Sequence, residues 1–492
     1  MEFSKFVELS KSFNVIPVYE KVTADLYTPV LAYLKIREEH RNSFLLESVE
    51  SIGRLARYSF IGKNPSKIIE VKENSLTITQ NQKVVVIKQN LFDYLKSELH
   101  NKKFYRDENL PDFAGGIVGY FGYETVGLIE DVIHFSENHP LDTPDSILGE
   151  FNDIIAFDHY KHQVQIISNV HLNENSDFEK TYNEAKSKIK NLKELLSKSI
   201  EYKSNFDLTT INSEIKNIDL FYNKVKQCKQ NIYEGDVFQI VLSNRFDAEF
   251  NGDPFNVYRA LRIINPSPYM YFIEFENDFK IIGTSPEDLL KVKNGKAAIL
   301  PIAGTRKRGN TEADDKKYEI ELLSDPKEKA EHVMLVDLAR NDLGRVCKYD
   351  SVKVVEEMKV HRFSHVMHIV SRVEGELLEN KDCIDALKAS FPAGTVTGAP
   401  KIRAIQLLND YENLRRNVYA GAIGYVDFGG NLDLCIAIRT LFSKDKKIFW
   451  QAGAGIVADS KPELEAKEIK NKSAALVNAL KYAEVIDENI ND

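Results

Sequence analysis

Two kinds of hydrophobic pattern alternate along the first part of the chain. Short runs rich in β-branched residues at 43–49, 67–71 and 83–88 are separated by Gly, Asn and Pro, which predicts strands of an antiparallel meander. Between residues 178 and 196, apolar side chains recur every three or four positions, as on one face of an amphipathic helix. A polar connector follows, and we expect a boundary near residues 205–217.

The second part of the chain is richer in glycine and more apolar. Apolar positions between residues 221 and 232 predict a helix that ends at Gly235, and the alternation at 236–243 predicts a strand. Further strand-like segments, joined by turns too short for parallel neighbours, are 419–427, 432–442 and 448–452. This part is therefore expected to contain an antiparallel sheet.

Composition narrows the function classes. At 492 residues the chain is long enough for a sizeable buried site. It carries a net charge of -9, no block of Lys and Arg that could follow a phosphate backbone, and no apolar run of membrane-spanning length. Residues 1–14 lack the apolar core of an export signal. We expect a globular cytoplasmic protein that binds neither nucleic acid nor a membrane.

Cysteine spacing and standard motifs exclude several enzyme classes. The four cysteines, Cys228, Cys347, Cys383 and Cys435, lie far apart and form no CxxC or Cys/His zinc pattern, so we expect reduced core residues. The sequence contains no HExxH, no phosphate-binding GxxxxGK[ST] and no GxSxG. Zinc proteases, P-loop enzymes and α/β-hydrolases therefore lose support.

Two predicted helices carry paired glutamates after a capping signal. Glu328 and Glu331 share a face of the first, and Glu465 and Glu468 share a face with Lys472 on the second. Four such carboxylates could surround Mg²⁺, a hard cation that prefers oxygen ligands. The alternative is that they are ordinary solvated positions on helix faces.

Arg439 and a glycine-rich segment are candidate anion-binding features. Arg439 lies within the strand-like run 432–442, which is apolar on both faces, so its guanidinium needs a carboxylate from the protein or from a ligand. Residues 453–455 formally match a dinucleotide fingerprint, but no βαβ unit can follow. Their backbone N–H groups could instead approach an anionic substrate. The loop 392–401 has a similar composition.

Two further side chains could move protons. His368 lies in the apolar strand-like run 366–371, where it could be a general base or a hydrogen-bonded core residue. Glu287 lies at a turn beside apolar strands, where desolvation could raise its pKa and suit it to proton donation. An equally acceptable interpretation makes Glu287 a solvated turn residue.

Taken together, these segments resemble the chorismate-utilising enzymes, and most closely the large subunits, or component I, of anthranilate synthases. The resemblance implies an α+β fold: two large antiparallel sheets packed as a sandwich, with helices outside and the active site between them. It further implies that residues 1–205, which contribute to a tryptophan regulatory site, intertwine with a chorismate-binding catalytic domain at 218–485. The matching segments are 235–243, 265–272, 301–306, 331–342, 391–401, 453–457 and 463–472.

The resemblance assigns roles to the candidate residues. It implies that Glu331 and Glu468 bind Mg²⁺ while Glu328 and Glu465 act through water. Glu287 would protonate the departing C4 hydroxyl group. His368 would assist the later loss of pyruvate. The implied chorismate-binding positions are Gly304, Thr305, Tyr425, Arg439, Gly453, Ala454, Gly455 and Lys472.

Two positions favour one reaction within the family. Gln239 stands where isochorismate and salicylate synthases have a lysine that activates water, and Ala303 stands where aminodeoxychorismate synthases often have a lysine that attacks the ring. Ammonia needs no such activation, because it is nucleophilic when neutral. We expect amination at C2 to give anthranilate and pyruvate. The alternative is an aminodeoxychorismate synthase large subunit, which places nitrogen at C4.

The resemblance also implies a partner and a regulator. The sequence lacks a Cys-centred glutaminase motif, so we expect a separate glutamine amidotransferase subunit in a hetero-oligomer. Segments 45–48 and 265–270 resemble tryptophan-binding elements, which predicts feedback inhibition of this first step of tryptophan biosynthesis. The implied regulatory positions are Ser48, Pro268, Tyr269 and Met270. Rival classes are a nucleotide-dependent oxidoreductase, which the missing βαβ unit opposes, and a catalytically silent binding protein, which the intact acidic and histidine set opposes.

Overall fold

The computed structural model describes residues 1–48, 57–135, 139–202, 204–362 and 366–487. Within these residues the strands form two sheets of twelve strands each, and the strand pairs inside both sheets are antiparallel. Position 49, at the end of the predicted strand 43–49, lies outside the described residues. No helix in the described ranges is both long enough and apolar enough to cross a bilayer.

The first sheet combines strands from both parts of the chain. Its strands, in spatial order, are β1 (Val15–Thr23), β10 (Gln163–His171), β9 (Asp153–Asp158), β3 (Tyr58–Lys63), β2 (Ser43–Glu47), β13 (Tyr269–Glu274), β14 (Lys280–Ser285), β23 (Thr440–Lys444), β24 (Lys447–Ile456), β12 (Gln239–Gly252) and β11 (Phe206–Asn212), with the short β20 (Gly398–Ala399) also on β12. β11 lies in the segment predicted to be a polar connector.

The second sheet is mixed in the same way. Its strands, in spatial order, are β17 (Ile302–Lys307), β19 (Val366–Glu376), β16 (Lys296–Ile299), β15 (Asp288–Lys293), β22 (Leu432–Ile436), β21 (Ala422–Asp427), β7 (Gly116–Phe121), β8 (Ser146–Phe151), β4 (Lys67–Lys72), β5 (Ser75–Gln80) and β6 (Lys83–Ile87), with β18 (Lys353–Arg362) also on β19. The predicted early strands therefore do not form one meander, because β2 and β4–β6 lie in different sheets.

Helices cover the outer faces of both sheets. They are α1 (Phe3–Leu9), α2 (Pro29–Ile36), α3 (Leu91–His100), α4 (Phe178–Ser197), α5 (Ile218–Tyr233), α6 (Phe255–Ile264), α7 (Glu312–Ser324), α8 (Pro326–Gly344), α9 (Cys383–Ser390), α10 (Lys401–Glu412) and α11 (Pro462–Ala483). Short 3₁₀ turns lie at Tyr123–Leu128, Tyr349–Ser351 and Gly394–Val396.

Three hydrophobic layers hold this arrangement together. The middle layer lies between the sheets and joins side chains such as Phe44 and Tyr271 of the first to Val118 and Ile423 of the second. One outer layer packs α2, α4, α6 and α11 on the first sheet, and the other packs α3, α8 and α9 on the second. The predicted α+β sandwich with external helices is confirmed.

Two predicted helices and the cysteines are also confirmed. α4 is capped by the Asp177 carboxylate, which accepts from the Lys180 amide, and it buries its predicted apolar stripe from Ala185 to Leu196, whereas Phe178 at its start is exposed. α5 ends at Tyr233, two residues before Gly235, whose φ of +84° only glycine adopts without strain. All four cysteines are buried and free.

The predicted strand 432–442 is wrong in one respect that matters for the site. β22 ends at Ile436 in the second sheet and β23 begins at Thr440 in the first, so the chain crosses between sheets here. Arg439 is therefore not in mid-strand; it lies in the crossing with a left-handed φ of +51°. The apolar pattern does not reveal the crossing, because both strands are largely buried and the link begins with two further apolar residues, the buried Ala437 and the partly buried Ile438.

Candidate active site

Several of the predicted site residues lie near the crossing that carries Arg439. The Arg439 guanidinium donates a hydrogen bond to the Lys472 carbonyl of α11, and it forms no ion pair with a carboxylate of the described residues. Burial lowers the pKa of Arg439, while the nearby Glu287, Tyr419 and Glu468 oppose that shift. The carboxylate expected opposite this guanidinium is thus absent from the described protein residues, which leaves room for one from a ligand.

The glycine-rich segment 453–455 lies within β24, near its C-terminal end. Gly453 pairs with Ser243 of β12, and Gly455 pairs with Val241. The amides of Val241 and Ser243 donate in the opposite direction, to acceptors 2.9 Å away on the far side of β12. In an antiparallel pair, two directly opposed residues either exchange backbone hydrogen bonds with each other or both direct their N–H and C=O groups away from the partner strand. Gly453 and Gly455 belong to the second kind, so their backbone groups point away from β12.

That side of β24 is open at the glycines. β23 pairs with β24 only up to Trp450, because its chain turns away toward the crossing. Gly453 and Gly455 therefore direct N–H groups into the space that β23 would otherwise occupy. Ala454 differs: it pairs with Leu242, and its side chain is buried in the outer core. The predicted approach of backbone N–H groups to an anion is thus possible at the two glycines.

Polar side chains surround this open edge. The Lys472 ammonium group donates to the Gly453 carbonyl at 3.0 Å and pairs with Glu468 at 2.7 Å. A Cβ on Gly455 would lie 2.6 Å from the Gln239 amide nitrogen, so Gln239 lies directly over the strand. Only glycine leaves space for these side chains at both positions.

The structure adds a tyrosine that the sequence analysis missed. A Cβ on Gly453 would lie 2.7 Å from the Tyr419 hydroxyl, and Tyr419 is also electrostatically coupled to Arg439. Tyr425, the predicted position, instead packs against Phe113 and Phe60 in the layer between the sheets. No signal in the sequence distinguished the two tyrosines, which lie six residues apart at the start and end of one glycine-rich segment.

Glu287 follows β14 in the turn between the two sheets. Burial raises the pKa of its carboxyl group, and the charges of Lys472 and Arg439 and the nearby Thr395 hydroxyl oppose that shift. The net direction is upward, so the group holds its proton to a higher pH than an exposed glutamate does. This environment suits a general acid and favours that interpretation of Glu287 over a solvated turn residue.

His368 lies on β19 beside the chain that carries Gly304 and Thr305. Its Nδ1 lies 2.9 Å from the Gly304 carbonyl oxygen and 3.1 Å from the Thr305 hydroxyl. Because a carbonyl only accepts, Nδ1 carries the proton and Nε2 is the basic atom of the neutral ring. Burial lowers the pKa of His368, which keeps the ring neutral and able to accept a proton.

The four predicted metal ligands lie on α8 and α11, and carboxylates of one helix repel carboxylates of the other. The pKa of Glu331 is raised by burial and by the like charges of Glu328 and Glu468. The pKa of Glu465 is raised by burial and by Glu468, although the Ser460 hydroxyl opposes the shift. Carboxylates that repel one another in this way form a donor set of the kind that Mg²⁺ prefers.

Two of these carboxylates are already paired with cations. Arg306 donates to Glu328 at 3.1 Å, and Lys472 lies 2.7 Å from Glu468. Within the described ranges, no three acidic, histidine or cysteine side chains are close enough together to hold a metal ion. Glu331 and Glu465 form no ion pair with a cation of the described chain, so these two carboxylates are the most available to a metal ion. Mg²⁺ binding stays a prediction.

The conformation of Gly304 provides a test of the β17–α8 contact. Its φ is +69°, and a Cβ there would lie 3.0 Å from the Glu328 carboxylate. We expect Gly304→Ala to lose about 1–2 kcal/mol of unfolding free energy from the left-handed backbone and, by displacing Glu328, to weaken apparent Mg²⁺ affinity. Gly295 is the matched control, because its φ is +74° and nothing lies within 4 Å of its added Cβ. Urea unfolding and Mg²⁺ titration of both variants measure this; equal Mg²⁺ affinity would contradict the contact.

The two predicted tryptophan elements lie at the ends of adjacent strands, one from each part of the chain. β2 pairs with β13, and Glu47 lies directly opposite Met270. Met270 is buried, whereas Ser48, Pro268 and Tyr269 are partly buried beside it. The Tyr269 hydroxyl donates to Asp433 of the second sheet at 2.9 Å. Tryptophan binding here stays a prediction.

Comparison with known proteins agrees with this geometry. Residues 42–478 match the chorismate binding enzyme family. Over 485 residues the chain is 44% identical to the anthranilate synthase component 1 of Acetivibrio thermocellus, covering 96% of this chain and 97% of that one. The crystal structure of anthranilate synthase component I from Streptococcus pneumoniae TIGR4 has a TM-score of 0.74 and 37% identity over 93% of this chain and 99% of that one.

A more distant structure shares the fold alone. The menaquinone-specific isochorismate synthase of Escherichia coli is 18% identical, with a TM-score of 0.69 over 97% of this chain and 98% of that one. Similar folds therefore occur in proteins whose names specify different chorismate reactions, and the reaction must be argued from individual residues. The family match over most of the chain leads to one conclusion: the chain belongs to the chorismate-binding enzyme family.

Proposed function

We propose that this chain is the chorismate-converting subunit of a cytoplasmic anthranilate synthase, which carries out the first step of tryptophan biosynthesis. It would convert chorismate and ammonia to anthranilate, pyruvate and water. The observation that carries the proposal is an arginine with no carboxylate partner among the described residues, which lies near an open glycine edge and a carboxyl group with a raised pKa.

Substrate binding follows from the charges and donors at that space. Chorismate is a dicarboxylate, and Arg439 offers a planar guanidinium that matches one carboxylate. Lys472 and the N–H groups of Gly453 and Gly455 offer further donors. Mg²⁺ held by Glu331 and Glu468, with Glu328 and Glu465 acting through water, would neutralise a substrate carboxylate.

The proton transfers can be assigned to two residues. Ammonia bonds to C2 as the ring double bonds shift and the C4–O bond breaks, and the Glu287 carboxyl group gives its proton to the departing hydroxyl, which leaves as water. His368 Nε2 then removes the proton from C2. The bond from C3 to the enolpyruvyl oxygen breaks and the ring becomes aromatic. The ammonium group at C2 loses one proton to solvent, and the departing enolate takes up one proton on carbon to become pyruvate.

The choice of ammonia rests on two neutral side chains. Gln239 lies over Gly455, within the site, and it cannot act as a base toward water. Ala303 of β17 cannot form a covalent bond to the ring. Because neutral ammonia attacks without activation, these residues favour amination, and a glutamine amidotransferase subunit is the proposed source of ammonia.

Tyrosine substitutions test how chorismate is bound. We expect Tyr419→Phe to raise the KM for chorismate about 10- to 100-fold, because a hydrogen bond to a charged group contributes about 1.5–3 kcal/mol. The matched comparison is Tyr425→Phe, whose hydroxyl lies in the layer between the sheets and should leave KM unchanged. The opposite pattern in steady-state kinetics would restore Tyr425 as the binding residue.

The proposed reaction can be tested without the partner subunit. Purified chain is mixed with chorismate, Mg²⁺ and an ammonium salt at mildly alkaline pH, where free ammonia is plentiful, and anthranilate fluorescence and pyruvate are followed together. We expect a Mg²⁺-dependent rise in fluorescence with equimolar pyruvate. Chorismate consumed without pyruvate would indicate aminodeoxychorismate instead, and absence of consumption would contradict an enzymatic role.

Tryptophan is the proposed feedback inhibitor, and the paired strands β2 and β13 support it. We expect tryptophan to inhibit the reaction and to raise the melting temperature, because a ligand that binds only the folded state stabilises it. Ser48→Ala should weaken both effects while leaving the uninhibited rate unchanged. Activity and thermal unfolding that do not respond to millimolar tryptophan would refute this regulatory site.

A further inference from the structure

Arg416 is a buried arginine that none of the steps above uses. It is 1% exposed, and it lies in the segment between α10 and Tyr419. Its guanidinium donates two hydrogen bonds to Glu412, at 2.7 and 2.8 Å, and one each to the carbonyls of Val396 and Val241, at 2.8 and 2.7 Å. A buried guanidinium with its donors directed at three separate segments fixes their relative positions.

One of these segments is β12, at the place where it lacks a neighbouring strand. In the described residues β20 pairs only with Gln239 and Ile240, and β11 pairs only from Asp247 onward. Between these two strands, the Arg416–Glu412 pair forms the hydrogen bonds that a neighbouring strand would otherwise form with β12. Glu412 accepts from the Ser243 amide at 2.9 Å, and Arg416 donates to the Val241 carbonyl.

The residues held in this gap lie directly opposite the glycines of the site. Val241 pairs with Gly455, and Ser243 pairs with Gly453. The position of the open glycine edge is therefore determined by β12, and the position of β12 at these residues is determined by the ion pair.

The other contacts of Arg416 reach the opposite wall of the site. Val396 follows Thr395, whose hydroxyl lies against the Glu287 carboxyl group. The guanidinium carbon also lies 5.5 Å from the centre of the Tyr419 ring. Arg416 thus contacts the supports of the glycine edge, of Glu287 and of Tyr419 at once.

The segment that carries Arg416 is itself held by the N-terminal part of the chain. The Glu124 carboxylate accepts hydrogen bonds from the backbone amides of Arg416 and Asn417, at 2.5 and 2.9 Å. Burial and the nearby Asp145 raise the pKa of Glu124 to about 7. Residues 1–205 therefore contribute to the support of the site.

We propose that Arg416, held by Glu412, is a positioning residue of the chorismate site: it sets the glycine edge, the Thr395 loop and Tyr419 relative to one another without touching the substrate. The inference rests on the proposed function. Because misplacing a bound reactant by about 1 Å can cost about 100-fold in rate, loss of this ion pair should act on catalysis through geometry.

Kinetics of Arg416→Lys and Glu412→Gln in the full chain test the proposal. We expect the KM for chorismate to rise at least tenfold and kcat to fall by about 100-fold for Arg416→Lys, with smaller changes in the same direction for Glu412→Gln. The KM for ammonia should not change, because neither residue supports an ammonia contact. Arg41→Lys, at an exposed pair with Glu276, is the matched control.

Direct titration of chorismate by calorimetry separates this inference from the proposed reaction. If the wild-type chain binds chorismate but makes no anthranilate, the proposed reaction fails and the affinities of the variants decide the role of Arg416. Folded variants with wild-type affinity, KM and kcat would overturn the positioning role. If Arg416→Lys does not fold, the isosteric Glu412→Gln decides the question alone, and unchanged kinetics in that variant would overturn it.

Discussion

Replacing Glu468 with glutamine is expected to reduce Mg²⁺-dependent formation of anthranilate by more than about 100-fold. Even partners that only orient metal ligands typically contribute 10- to 100-fold, so loss of a ligand itself should cost more. The amide keeps the size of the side chain but removes the charge that lies opposite Glu331 and beside Lys472. Initial rates over a range of Mg²⁺ concentrations measure the effect.

The control for Glu468→Gln lies on the same helix. Glu463 is exposed in the first turn of α11, so Glu463→Gln removes one negative charge at a similar helix position without altering the site. We expect this variant to keep the wild-type rate and Mg²⁺ requirement. A Glu468→Gln chain with wild-type turnover and Mg²⁺ dependence would refute the assignment of Glu468 as a ligand.

Glu287→Gln is expected to lower kcat by about 10²- to 10⁴-fold with little change in KM, because positioned general acids contribute in that range. Glutamine is similar in size to glutamate but cannot release a proton to the departing hydroxyl. Glu276→Gln, in the exposed turn between β13 and β14, is the control for removing a carboxylate. A kcat close to that of the wild type would show that another group protonates the hydroxyl.

The pH dependence of kcat follows from the same carboxyl group. The acid acts in its protonated form, and burial raises its pKa, so activity should persist above the usual carboxyl range and fall as pH rises through the raised pKa. The measurement holds free ammonia constant, because its concentration also rises with pH. This alkaline decline should be absent from the residual activity of Glu287→Gln, and its persistence there would contradict the assignment.

Local patterns predicted the parts of the fold in which one periodicity covers a whole element. The buried stripe of α4 and the paired glutamates of α8 and α11 follow from helical spacing, which depends only on neighbouring residues. The layout of the sheets came instead from the resemblance to a family. Strand patterns do not specify which of two sheets a strand joins, as β2 and β4 show.

The details of the site that depend on long-range contacts were the least predictable. Arg439 was expected in mid-strand, because the change of sheet between β22 and β23 occurs inside a continuous apolar run. Tyr425 was assigned from the resemblance alone, and no local pattern indicated that the Tyr419 hydroxyl lies beside Gly453. The supporting role of Arg416 is visible only once its three partner segments are brought together.

The most direct test of the proposed reaction is the fate of isotopic nitrogen. Purified chain is incubated with chorismate, Mg²⁺ and ¹⁵N-ammonium, and the products are identified by mass spectrometry and NMR. We expect anthranilate that carries ¹⁵N on the ring carbon next to the carboxyl-bearing carbon, together with one pyruvate per anthranilate. Recovery of ¹⁵N at C4 in a product that retains the enolpyruvyl group would contradict it.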